Sequence, residues 1–399
     1  MNYSNKLEDD VYWVGVNDRE TDLFENLWPI PNGISYNSYL IVDEKVVLID
    51  TVKIDYQDSY IENIKDLTKG RPIDYLVINH MEPDHSGSIK TLLKHFPDMK
   101  IVGNTKTSKF LKGFYSIEDN IINVEDNETL KVGDKTLQFV ITPMVHWPET
   151  MMTYLKEDKI LFSGDVFGSF GAINGSIFDD QIIKENYEDE IIRYYSNIVG
   201  KYSPIANKHI NNLSDIDINI VASTHGPVWR KDPEYIINMY KSMSNFEARE
   251  GAVVVYGTMY GNTKKIAESA AAGLADSGIK NIKLYDGSRT HESYLIRDIW
   301  KYKGAIVASC SYNNGLFPPV LSLIEDLENR GIQKRNFGFI GTFSWSGGSL
   351  ERMKEFGDEC NINVLEPIIN NQYAPTEENL MKAYQLGKNV GDKIKKGDS

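Results

Sequence analysis

His80-Met81-Glu82-Pro83-Asp84-His85 follows directly on the apolar run Tyr75-Leu76-Val77-Ile78-Asn79, and this stretch decides how the chain is read. Four metal-ligand side chains lie within six residues, at a place where a buried strand runs out into a loop. Imidazole together with carboxylate suits borderline and hard divalent metals such as zinc, iron or manganese. With two donors on each side of Pro83, the segment fits a pair of metals better than a single ion. A metal pair in such a place makes an enzyme the expectation.

Three further segments end in the same way. His146 closes Val140-Ile141-Thr142-Pro143-Met144-Val145, Asp165 closes Ile160-Leu161-Phe162-Ser163-Gly164, and His225 closes Ile220-Val221-Ala222-Ser223-Thr224. Four strands would each deliver a ligand-type residue at their C-terminal end, and a packed sheet can bring such ends to one rim. The other histidines read as ordinary: His95 on a helix after Leu92-Leu93, His209 in a polar stretch, and His291 in a turn-like Arg-Thr-His-Glu segment.

From Ala252 the chain changes rhythm. Before it, short strands outnumber helices: Val11-Val16, Ser38-Val42, Lys45-Ile49, Asp74-Asn79, Leu137-Thr142, Met152-Leu155, Ile160-Ser163 and Asn219-Ala222 are strand candidates. Helices are expected at Tyr56-Leu67, Ser88-His95, Asn186-Val199 and Pro233-Phe246. This pattern suggests two packed sheets with helices outside. After it, strands at Val253-Tyr256, Ile282-Tyr285, Ala305-Ser309, Phe337-Gly341 and Asn363-Leu365 alternate with helices at Thr263-Asp276, Phe317-Asn329, Leu350-Phe356 and Glu377-Lys395. That alternation describes a doubly wound parallel sheet. Two domains are expected, residues 1–250 and 251–399, joined near Arg249-Glu250-Gly251.

Strand Val253-Tyr256 runs into Gly257-Thr258-Met259-Tyr260-Gly261-Asn262-Thr263 and at once into a helix. Hydroxyls, a glycine and free backbone N–H groups at a helix N-terminus make an anion cradle. The segment is neither G-x-G-x-x-G nor a Gly-Lys-Ser/Thr nucleotide loop. Two later loops follow strands of the same sheet: Ser309-Cys310-Ser311-Tyr312-Asn313-Asn314-Gly315, and Thr342-Phe343-Ser344-Trp345-Ser346-Gly347-Gly348. Ligands of open α/β sheets sit outside the carboxyl ends of the strands, and aromatics beside small polar residues suit a flat ring system. Tyr312 and Trp345 read equally well as core or interface aromatics.

The phosphate loop resembles that of flavodoxins, which holds FMN. The ligand series His80, Glu82, Asp84, His85, His146, Asp165, His225 resembles the metallo-β-lactamase-like domain of flavodiiron proteins. That resemblance covers essentially the whole chain and implies an α/β protein, an N-terminal metallo-β-lactamase-like αββα sandwich followed by a flavodoxin-like doubly wound parallel sheet. It implies FMN and two irons as cofactors: His80, Glu82 and His146 on one iron, Asp84, His85 and His225 on the other, and Asp165 bridging them. Zinc hydrolases of this fold usually have histidine where this chain has Glu82; a carboxylate there makes the site harder and favours iron. The implied activity is reduction of dioxygen to water, nitric oxide to nitrous oxide, or both. Tyr194 or Tyr195 is expected near the bound gas. A separate electron donor is implied, a rubredoxin-like protein or a reduced deazaflavin, together with a head-to-tail homodimer or a dimer of such dimers.

Composition sets limits around this reading. The formal net charge of −14 argues against nucleic acid and anionic membrane surfaces. The two cysteines, Cys310 and Cys360, form no CxxC pair, which excludes a cysteine-ligated iron–sulfur or rubredoxin-type centre in this chain. No run approaches the roughly 20 apolar residues of a membrane span, and Met1–Asp10 has no basic, apolar leader pattern, so a cytoplasmic protein is expected. The rivals are a dinuclear zinc hydrolase of the same fold fused to a flavodoxin module, and a non-enzymatic electron carrier. Glu82 speaks against the first.

Overall fold

The structure is a computed structural model and describes residues 5–396. It divides into two compact units, one of Met1–Tyr195 and Pro204–Lys241, the other of Ser196–Ser203 and Ser242–Ser399.

The first unit holds a seven-stranded sheet whose spatial order follows the chain. Its strands are β1 (Asn5–Glu8), β2 (Val11–Trp13), β3 (Tyr39–Val42), β4 (Val46–Ile49), β5 (Tyr75–Val77), β6 (Lys100–Gly103) and β7 (Ile121–Asn123). The first four pair antiparallel, and β4 to β7 pair parallel. Parallel neighbours need crossovers, supplied by α1 (Gln57–Thr68), then α2 (Pro83–Ser86) and α3 (Ile89–His95), then α4 (Thr105–Phe110). A second sheet also runs in chain order: β8 (Thr129–Lys131), β9 (Thr136–Ile141), β10 (Met151–Leu155), β11 (Ile160–Phe162) and β12 (Ile220–Ala222). Only its last pair is parallel, and between those two strands lie α5 (Glu185–Tyr194) and α6 (Ser203–Asn212).

One apolar core joins the two sheets. Ile41, Val47, Ile49, Val77 and Val102 of the first pack with Leu137, Phe139, Leu155, Phe162 and Ala222 of the second. Strands buried on this scale read as near-continuous apolar runs, as Val46–Ile49 does with all four residues buried. After β12 comes α7 (Pro233–Ser244).

The second unit is a parallel sheet of β13 (Arg249–Gly257), β14 (Ile282–Asp286), β15 (Tyr302–Tyr312), β16 (Asn336–Phe343) and β17 (Asn363–Gln372), in the order β14-β13-β15-β16-β17. This is the doubly wound flavodoxin order. Its helices are α8 (Asn262–Asp276), α9 (Glu292–Lys301), α10 (Pro318–Asn329), α11 (Ser349–Glu359) and α12 (Glu377–Lys396). Ile266, Ala270 and Leu274 of α8 and Leu386, Val390 and Ile394 of α12 close one face over Val254, Ile306 and Ile340. The two helices meet at glycines: a Cβ on Gly273 would stand 1.9 Å from the Tyr384 carbonyl oxygen, and one on Gly387 would stand 1.9 Å from that of Ala270.

The elements depart from the sequence expectations in several places. The segment Pro83–Ser86 is a helical turn and not open loop, with Pro83 at the first helical position, where its missing N–H costs nothing. The helix expected over 186–199 ends at Tyr194 and continues as a wider π turn, Tyr195–Val199. His209 lies on α6, and His291 caps α9, its ring accepting from the Ser293 amide. Strands β1, β6, β7 and β8 and helices α4, α6 and α9 are all additional to those expected. Most are short, and β7 and β8 carry little buried surface, so their hydrophobic period is weak.

Candidate metal centre and flavin pocket

Asp84 and His85 lie on α2, and the other ligand-type residues sit on loops just past the strands, not on the strand ends themselves. His80 lies three residues beyond β5, Asp165 three beyond β11, His225 three beyond β12, and His146 five beyond β9. The loop after β5 is fastened to both sheets. The Asp50 carboxylate accepts the Asn79 amide at 2.7 Å and the Asn79 side chain at 3.0 Å, while Thr153 on β10 donates to Asn79 Oδ1 at 2.7 Å.

Seven side chains gather there in two groups. His80, Glu82, His146 and Asp165 form one; Asp84, His85 and His225 form the other. Asp165 faces both. Its Oδ2 lies 3.1 Å from His146 Nε2 and 3.5 Å from His80 Nε2, and its Oδ1 lies 2.9 Å from His85 Nε2 and 3.6 Å from His225 Nε2. Glu82 Oε2 stands 3.1 Å and 3.2 Å from the Nε2 atoms of His80 and His146. Asp84 Oδ2 stands 3.3 Å and 3.4 Å from those of His85 and His225.

Neighbours fix how these groups point. His80 Nδ1 donates to Glu149 Oε1 at 2.8 Å, and His225 Nδ1 donates to the Ser35 carbonyl at 2.7 Å, so each ring turns Nε2 inward. Thr224 donates to Asp165 Oδ1 at 2.6 Å. Neither Glu149 nor Ser35 was among the expected site residues. Glu149 stands three residues after His146 in His-Trp-Pro-Glu, which is a readable signal; a backbone carbonyl gives none.

The electrostatics call for positive charge at this place. Burial pulls the His85 imidazole down, but the carboxylates of Asp84 and Asp165 outweigh it and push it up to about 9. His146 is likewise pulled down by burial and raised to about 9 by Asp165 and Glu82. Asp165 is pushed up by burial, yet the surrounding histidines hold it well below the usual carboxylate range.

The donor set fits metal ions. Asp84 Oδ1 and Oδ2, His85 Nδ1 and Nε2, and His225 Nε2 are buried without a hydrogen bond among the described residues. Each such atom costs about 1–3 kcal/mol if left unsatisfied. A cation coordinated between the two carboxylates and the imidazoles removes most of that cost.

The tyrosine doublet separates cleanly, because successive helical residues point about 100° apart. Tyr194 is fully buried with its ring 5.5 Å from that of His225, and its hydroxyl has no hydrogen-bond partner among the described residues. Burial, then the charge of Asp165, keeps that hydroxyl protonated. Tyr195 turns away and packs edge-on against Tyr240 at 5.1 Å.

In the second unit the three expected loops line one cavity of about 340 Å³, within the range of ligand sites. Thr258, Met259, Tyr260, Asn262 and Thr263 come from the first loop, Ser311, Asn313 and Asn314 from the second, and Ser344, Trp345 and Ser346 from the third. Gly261, Tyr312, Gly315 and Gly347 belong to these loops without lining it, while Cys310, Thr342, Phe343 and Tyr373 line it as well. Helix α8 has no side-chain cap; Gly261 precedes it at φ +91°, leaving its first N–H groups open to an anion. Asn313 and Asn314 adopt consecutive left-handed conformations between Tyr312 and Gly315, a tight hairpin turn.

Comparison with known proteins agrees with this architecture. Residues 34–226 match the ODP family beta lactamase, and residues 254–385 match flavodoxin. The chain is 32% identical over 395 residues to the nitric oxide reductase of Moorella thermoacetica, covering 97% of this chain and 98% of that one. This chain belongs to the flavodiiron protein family. Its fold is similar to the flavodiiron protein of Giardia intestinalis, with a TM-score of 0.94, 29% identity, and coverage of 99% of this chain and 98% of the other. It is also similar to the rubredoxin:oxygen oxidoreductase of Desulfovibrio gigas, with a TM-score of 0.93, 28% identity, and coverage of 98% and 99%. No helix among the described residues is long and apolar enough to cross a membrane.

Proposed function

We propose that this flavodiiron protein holds one iron on His80, Glu82 and His146 and a second on Asp84, His85 and His225, with Asp165 bridging. The chain is an oxidoreductase of the oxygen and nitric oxide reductase class, with FMN and a non-haem iron pair as cofactors. The observation that carries the residue assignment is Asp165, whose two oxygens face two separate imidazole pairs at 2.9–3.6 Å. When bound, the irons supply one electron each and the flavin two, matching the four that dioxygen needs to become water; two nitric oxides need only two to give nitrous oxide.

The chain's own residues do the rest. Glu82 and Asp84 put one carboxylate on each side, which keeps the centre hard and anionic. Tyr194 presents a protonated, otherwise unpartnered hydroxyl beside the cluster, placed to donate a hydrogen bond to reacting oxygen. Tyr195, packed on Tyr240, serves the frame. Thr258 to Thr263 hold the FMN phosphate at the start of α8. The loops at 311–315 and 344–347 hold the isoalloxazine, which an aromatic lining the cavity, Trp345 or Tyr260, stacks upon.

The electron donor is a separate rubredoxin-like protein or a reduced deazaflavin, the assembly a head-to-tail homodimer or a dimer of dimers, and the setting cytoplasmic. The test is anaerobic turnover of the iron- and FMN-loaded chain with chemically reduced rubredoxin, offered dioxygen and nitric oxide separately. Consumption of either gas, abolished by His146→Ala with flavin reduction intact, supports the reading. Protein that loads zinc in preference to iron and consumes neither gas contradicts it.

A further inference from the structure

The imidazoles of the cluster are not held alike. His80 Nδ1 lies 2.8 Å from a carboxylate oxygen, Glu149 Oε1, and donates to it; the Met81 amide points between the two, 2.9 Å from that oxygen and 3.1 Å from the ring nitrogen. His225 Nδ1 donates to a neutral carbonyl. His85 Nδ1 has no hydrogen-bond partner among the described residues. Glu149 is fully buried, its second oxygen has no hydrogen-bond partner among the described residues, and Asn104 Nδ2 clamps its backbone carbonyl at 2.6 Å. Its carboxylate is therefore fixed in place and shielded from water. Asp50, the other buried carboxylate beside this loop, bonds to the Asn79 side chain and to the amides of Asn79 and His80, not to a ring nitrogen.

A carboxylate that receives the Nδ1 proton draws it outward and makes Nε2 a stronger donor to a metal; a carbonyl does this less, and an empty position not at all. A stronger donor stabilises the higher metal charge. We infer that Glu149 makes the two irons unequal, so that the iron held by His80, Glu82 and His146 is oxidised first while the iron held by Asp84, His85 and His225 stays ferrous longer. This rests on the two-iron reading above. In it Glu149 is a positioning residue, acting through His80 alone.

The test is a redox titration of the full chain loaded with FMN and ⁵⁷Fe, using ferricyanide as oxidant and read by Mössbauer and electron paramagnetic resonance spectroscopy. Iron is counted first; a chain that binds none overturns the two-iron reading itself. In the loaded wild type, removal of one electron from the iron pair gives a single trapped ferric–ferrous species. Glu149→Gln keeps the hydrogen-bond acceptor and the size while removing the charge. It shifts the first oxidation equilibrium by about tenfold, about 59 mV for one electron, towards the ferrous form. Only the doublet of the first-oxidised iron moves. Glu149→Asp, which keeps the charge, stays closer to wild type. Unchanged potentials in a fully loaded Glu149→Gln, or equal movement of both doublets, overturns the inference. Should that variant fail to hold iron, the wild-type spectrum decides: two equally populated ferric–ferrous species contradict the inference, and one supports it.

Discussion

The candidate metal centre and the candidate flavin pocket are each suited to a redox group, by opposite means. The cluster is enclosed by the protein frame around it. Its histidines are almost wholly buried, and its loops are tied by Asp50, Glu149, Thr153, Thr224 and the Ser35 carbonyl. The flavin pocket is an open rim of loops on which Tyr260 is 92%, Trp345 89% and Tyr373 63% exposed. A small ion gains from fixed donors at set distances, whereas a large flat ring needs aromatic surface that stays available until it binds. The first site should therefore respond sharply to the loss of one side chain, and the second gradually.

Asp165→Ala is the largest expected effect, because one residue serves both halves of the cluster. Iron content falls below half of wild type and gas turnover drops by on the order of 100-fold or more, beyond what loss of an outer partner usually costs. FMN content stays unchanged; iron analysis alongside flavin absorbance measures both. The counterpart on the flavin side is Gly348→Ala. Gly348 has φ +119°, and a Cβ there would stand 1.9 Å from the Asn314 carbonyl oxygen, so the second and third loops must move apart. Flavin affinity falls by about 10-fold or more while iron is retained. Simultaneous loss of both cofactors in either variant would break the contrast.

Tyr194→Phe sharpens it. Removing a buried hydroxyl with no partner among the described residues leaves the fold as stable or slightly more so, yet turnover slows by about 10–100-fold if that hydroxyl donates to reacting oxygen. Thermal unfolding and gas consumption on the same sample separate the two effects. On the flavin side, Trp345→Ala, Tyr260→Ala and Tyr312→Ala each weaken FMN binding by no more than about 10-fold, and the largest of the three marks the stacking partner.

The smallest effect is a pH effect on the frame behind His225. Asp18 ends the short strand Val16–Asp18, which pairs with Ile34–Tyr36 and so carries Ser35. Burial pushes the Asp18 carboxyl up, but hydrogen bonds from Thr21 and Glu20 outweigh it and hold it at about 2. An unfolded aspartate titrates near 3.9. The stabilisation is therefore complete above that value and disappears as pH falls through about 2. Urea unfolding at pH 5 and pH 3 should show wild type losing more than Asp18→Asn, which lacks this dependence.

Much of the site was legible because its residues carry chemistry that the fold does not otherwise need. His80, His146, Asp165 and His225 each follow an apolar strand, and their convergence follows from two sheets sharing one core. The first loop of the cavity was legible from a strand, a polar turn and a helix in immediate succession. What stayed hidden depends on three dimensions. Ser35 contributes a carbonyl that any residue would offer, and Glu149, readable in sequence as a carboxylate three residues after His146, takes its role only from lying beside His80. The choice between Tyr194 and Tyr195 turns on helical phase, which the doublet alone does not give. Helix α9 escaped notice because a histidine caps it in place of the usual serine, threonine or aspartate.

The most direct measurement is anomalous diffraction at the iron edge from crystals of anaerobically loaded protein. Two peaks are expected, one among His80, Glu82 and His146 and one among Asp84, His85 and His225, with the Asp165 carboxylate between them. A single peak, peaks away from Asp165, or a signal that appears at the zinc edge instead would contradict the account.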